Sequence, residues 1–96
     1  MDREEITEEA VNIIRRYLPG KEFEIVLFGS WARGNAQETS DIDIGLVGPE
    51  SVDDMLLLRI KEEIGGIPTL RRIDVVDLSK TDDNLRQEVL SYAQVL

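Results

Sequence analysis

Ninety-six residues with 11 basic and 20 acidic side chains, a formal charge of −9 and 42% hydrophobic content are expected to form one domain over residues 1–96 around a single core. The chain has no cysteine and no histidine, which excludes disulfides, zinc-thiolate sites and thiol nucleophiles and leaves oxygen ligands, suited to hard cations such as Mg²⁺. The acidity argues against nucleic acid as a direct substrate, the charged opening "MDREEITEEA" cannot form a secretory apolar segment, and no apolar run approaches the ~20 residues that span a bilayer, so a soluble cytoplasmic protein is expected.

From Glu4 to Leu18 the apolar residues Ile6, Ala10, Ile13, Ile14, Tyr17 and Leu18 follow helical spacing, and Pro19-Gly20 stops the helix. "FEIVLF" (Phe23 to Phe28) is nearly continuous in β-forming apolar residues, which predicts a central strand covered on both faces. In "DIDIGLV" the residues Asp41, Asp43 and Gly45 alternate with Ile42, Ile44 and Leu46, which predicts a second strand ended by Gly48-Pro49. A helix is predicted from Val52 to Ile64, carrying Met55, Leu56, Leu57, Leu58 and Ile60 and closed by Gly65-Gly66. "RIDVVDL" (Arg72 to Leu78) reads as a third strand. The remaining residues read as a final helix capped by Ser79 or Thr81, with Leu85, Val89, Leu90 and Ala93 facing inward. The order α-β-β-α-β-α predicts a small α+β, or α/β-like, domain in which helices flank a mixed sheet.

The chemistry is concentrated in three places. Period-two spacing turns Asp41 and Asp43 to one side of their strand, where two carboxylates repel unless a divalent cation neutralises them; a solvated strand face accommodates the same spacing. "GSWARG" follows the end of the first strand. Gly29 permits close backbone approach to a ligand, Ser30 offers a hydroxyl and an amide, and Arg33 offers a fork of donors for phosphates; an ordinary capped turn with a solvent-facing Arg33 would read the same way. Asp74 completes a three-carboxylate site if its strand lies beside that of Asp41 and Asp43. Asp77, three residues on, points to the other face and reads as a strand-end residue. Trp31 is expected to pack beneath its loop, with stacking on a base or docking to a partner as the other reading.

Gly29-Ser30, then Asp41-x-Asp43, with Asp74 on a later strand, resembles the nucleotidyltransferase superfamily that includes DNA polymerase β. "GSWARG…SDIDIGLV" in so short a chain resembles in particular the minimal nucleotidyltransferase (MNT) family, antitoxin halves of HEPN/MNT toxin–antitoxin pairs, and the likeness covers essentially the whole chain. The resemblance implies a polymerase β-like fold, with Gly29 and Ser30 holding nucleotide phosphates and Arg33 reaching the β- or γ-phosphate. It further implies that Asp41, Asp43 and Asp74 bind two Mg²⁺ ions, with Asp74 helping to activate the attacking hydroxyl. The function implied is transfer of AMP from ATP to a hydroxyl, a tyrosine in the family, of a HEPN-type toxin. A non-catalytic antitoxin that neutralises its partner by contact is the competing reading. An exposed sheet edge would serve a homodimer or the partner complex.

Overall fold

The computed structural model describes residues 2–20, 22–36 and 40–96. Helix α1 (Arg3–Tyr17) starts on Asp2, whose carboxylate accepts the Glu5 N–H at 2.8 Å, and it buries Ile6, Ala10, Ile13 and Ile14 on one stripe. Arg15 Nη1 then donates to the carbonyls of Gly20 (3.0 Å) and Phe23 (2.9 Å), fixing how the chain enters the sheet. Strand β1 (Glu24–Phe28) leads into a four-residue helix, α2 (Ser30–Arg33), which begins at Ser30. Strand β2 (Ile42–Val47), helix α3 (Asp54–Ile64) and strand β3 (Ile73–Asp77) follow. A 3₁₀ helix (Leu78–Lys80), helix α4 (Asp83–Tyr92) and the two-residue strand β4 (Gln94–Val95) close the described chain.

The sheet order is β3-β2-β1-β4. Strand β1 pairs antiparallel with both β2 and β4, whereas β2 and β3 run parallel, joined by the α3 crossover. The result is the mixed α+β sheet flanked by helices that the residue pattern predicts. Alternation along the strands divides the core in two. Ile25, Leu27, Ile42, Ile44, Leu46 and Val75 pack under α1 and α3 in the main cluster. On the opposite face Val26, Leu78 and Val89 form a second, much smaller cluster under α4. Burial on both faces of β1 bears out its reading as a central strand. Gly45 leaves room for this second cluster, since a Cβ there would come within 2.7 Å of Leu78 Cδ1 and 3.0 Å of Val26 Cγ2.

The predicted final helix needs three corrections. Its cap is Asp82, which accepts the Leu85 N–H at 2.8 Å, and neither Ser79 nor Thr81. The helix stops at Tyr92, after which Ala93 turns extended and Gln94–Val95 adds a strand to β1. Leu85 (46%) and Leu90 (43%) are exposed, because the second cluster is wide enough to bury only one turn of α4, at Val89. On α3 the apolar residues likewise divide. Ile60 and Ile64 are buried, while Met55 and Leu58 face outward. No helix among the described residues is long and apolar enough to cross a membrane.

Candidate active site

The parallel register of β2 and β3 sets Asp43 directly opposite Asp74, as the sequence reading required. Across the other edge of β2, Phe28 faces Asp43, so the turn that follows β1 begins beside the same carboxylate. Gly29 opens that turn at φ +73, a conformation L side chains rarely adopt, and a Cβ there would overlap the Asp43 carboxylate. The glycine is therefore needed twice, for the backbone turn and for the space that Asp43 occupies. Asp41 is exposed and lies one residue ahead of β2 rather than inside it, which corrects its predicted place on the strand.

Charge on this face is only partly compensated, by Arg72. Burial raises the Asp43 carboxyl above its ordinary value, and the neighbouring Asp74 and Asp41 charges raise it further, opposed only by Arg72. Arg72 Nε donates to Asp74 Oδ1 at 3.1 Å, an ion pair at the surface. Among the described residues no group of three ligating side chains stands close enough to form a ready-made metal cage. In donor type and charge, however, Asp41, Asp43 and Asp74 fit a hard divalent cation: every donor is a carboxylate oxygen, and burial together with the two neighbouring carboxylates raises the central carboxyl.

Helix α4 supplies the other side of the site, and the sequence reading missed it. Tyr92 Oη accepts the Gly29 N–H at 3.3 Å. Arg33, predicted to face phosphates, lies with its guanidinium 4.4 Å from the Tyr92 ring centroid and pairs with Glu88 at 3.3 Å. The signal for these partners was the four-residue spacing of Glu88 and Tyr92, which turns both to one face of α4. For Arg72 it was the period-two spacing to Asp74 on one strand.

A family model described as polymerase beta nucleotidyltransferase matches residues 8–96. The chain belongs to that family. Among curated relatives, a Methanocaldococcus jannaschii protein assigned as a protein adenylyltransferase is 41% identical over 61 residues, 64% of this chain and 61% of the relative. This nucleotidyltransferase chain thus matches under two thirds of that relative's length. A solved structure assigned as a minimal nucleotidyltransferase is 28% identical, covering 100% of this chain and 97% of that one, with a TM-score of 0.72. A toxin–antitoxin structure with AMP-PNP is 25% identical, covering 88% of this chain and 69% of that one, with a TM-score of 0.65.

Two further residues of this nucleotidyltransferase fall as the pattern suggests. Asp77 is 3% exposed, on the face away from Asp74, and serves the fold: it accepts the N–H groups of Val52 (2.7 Å) and Ser79 (3.0 Å) and the Ser79 hydroxyl (2.6 Å). Trp31 packs against the main cluster beneath its loop and donates from Nε1 to the Ser40 carbonyl at 3.2 Å.

Proposed function

We propose that residues 1–96 form one cytoplasmic, Mg²⁺-dependent nucleotidyltransferase domain that moves AMP from ATP to a tyrosine hydroxyl of a HEPN-type toxin and so acts as its antitoxin. The observation that carries this reading is the register of Asp43 opposite Asp74 with the Gly29-Ser30 turn beside Asp43. The adenylyltransferase relative and the toxin–antitoxin structure with AMP-PNP support the choice of nucleotide and partner.

In this reading the Gly29-Ser30 turn receives the phosphates through its backbone and the Ser30 hydroxyl, which requires Tyr92 to release the Gly29 N–H. Arg33 is half exposed and exchanges Glu88 for the β- or γ-phosphate. Asp41, Asp43 and Asp74 would hold the Mg²⁺ ions, which would neutralise charge on the phosphates. The acceptor oxygen forms its bond to the α-phosphorus as the bond from that phosphorus to pyrophosphate breaks, and the hydroxyl proton passes to Asp74, kept in orientation by Arg72. The protein's share of the work is to position these groups.

Transfer from ATP labelled at the α-phosphate, with Mg²⁺ and a HEPN-type partner, tests the reading. Label should enter the partner with the natural chain and not with Asp41→Asn. Loss of labelling together with undiminished neutralisation by that variant would instead establish an antitoxin that works by contact.

A further inference from the structure

A second polar site lies where α3 ends and β3 begins. Lys61, Thr69, Arg71 and Arg72, with Gly65 and Ile67, line a cavity of about 250 Å³. Three of the chain's 11 basic residues therefore meet at one small opening, in a protein of formal charge −9. Among the described residues Lys61 and Arg71 make no ion pair. Arg71 Nη1 is buried without any hydrogen-bond acceptor, the one such side-chain atom among the described residues. That nitrogen is costly to keep without an acceptor, and an oxyanion in the cavity would gain charge-assisted pairs with the Lys61, Arg71 and Arg72 side chains that line it.

The opening is also fixed in place. The Gly65 and Ile67 N–H groups donate to the carbonyls of Lys61 (2.9 Å) and Ile64 (3.0 Å), and the Arg71 N–H donates to Thr69 Oγ1 at 3.1 Å. The Arg71 guanidinium lies 5.2 Å from the Trp31 ring centroid. Arg72 belongs to both sites, because it lines this cavity and bonds Asp74. Leu70, fully exposed, stands on the same loop and offers an apolar contact to a macromolecule seated there.

From this arrangement we infer that the Lys61/Arg71/Arg72 cavity is an oxyanion site, which receives a carboxylate or phosphate carried by the acceptor protein close to its target hydroxyl. The anion site stands on the geometry alone, and its assignment to the acceptor rests on the function proposed above. Arg72 both lines the cavity and bonds Asp74, so an acceptor anion held there is linked to the carboxylates through that side chain.

Titration of the full chain with inorganic phosphate, and separately with acetate, at constant ionic strength tests the site. Heteronuclear NMR and the fluorescence of Trp31, the single tryptophan, are the readouts. Saturable shifts are expected at residues 65–73, weakened about tenfold by Arg71→Gln and by Lys61→Gln. Preference for phosphate would point to a phosphorylated acceptor, and comparable acetate binding to an acidic side chain. Shifts that never saturate, that survive both variants, or that are confined to Gly29 and Ser30 would overturn the site. In transfer assays the same variants should raise KM for the acceptor about tenfold with KM for ATP unchanged; an unchanged acceptor KM overturns the assignment to the acceptor. A natural chain that transfers no label defeats the proposed function and that assignment with it, while the titration still decides the anion site.

Discussion

Asp43 is the residue on which fold and chemistry disagree most. Its carboxyl is raised by burial and by the charges of Asp74 and Asp41, so its contribution to stability is present below the ordinary carboxylate range and is lost as pH rises through the raised value. At neutral pH and without divalent ions, Asp43→Asn should therefore stabilise the fold. The side chain remains partly solvated, so the gain is under about 1 kcal/mol, or up to roughly 4–8 °C in Tm for a domain of this size. Thermal melts in a chelating buffer check this, and the difference from the natural chain should shrink as pH falls. A lower Tm for the variant would show that Asp43 is a structural ligand of the turn rather than a strained site residue. The placement of Asp74 beside Asp43 was legible because both stand on strands that the sequence pattern makes neighbours. Arg72, Glu88 and Tyr92 carry only weak spacing signals, since a cation beside a strand or a tyrosine on a helix has many ordinary uses.

At the scale of elements, the strongest periodicities were the most legible. The stripe of α1 and the alternation of β2 arise from burial along their whole length, and the parallel pairing of β2 with β3 follows from an α3 crossover of ordinary size. The end of the chain was not legible. Three residues able to cap a helix, Ser79, Thr81 and Asp82, crowd the start of α4, and a strand as short as Gln94–Val95 has no period to detect. Asp77 shows how one of these junctions is held: it accepts the buried Val52 N–H ahead of α3 and caps the 3₁₀ helix at Ser79. Asp77→Ala should cost about 1–3 kcal/mol by leaving that N–H without an acceptor. Asp77→Asn, which keeps an acceptor oxygen, should cost less. Urea denaturation measures both, and equal stability of all three chains would mean the junction is held by apolar packing alone.

Across the whole molecule, the two faces of the sheet do different work. One is sealed by α1 and α3 over the main cluster, and it carries the stability of a domain with little apolar surface to spare. The other is covered by α4 at a single turn, which leaves Asp43, Asp74 and the Gly29 turn accessible at its open end. A chain of net charge −9 whose open face carries Asp43 and Asp74 repels a nucleotide unless cations intervene. Divalent-ion dependence is thus the property the proposed function predicts most directly. The deciding measurement is ATP binding by calorimetry with and without Mg²⁺, for the natural chain and for Asp43→Asn. Binding that requires Mg²⁺ and disappears in the variant is the expected result. Equal affinity without the metal, or affinity unmoved by the substitution, would contradict the assignment of these carboxylates as the metal-binding centre.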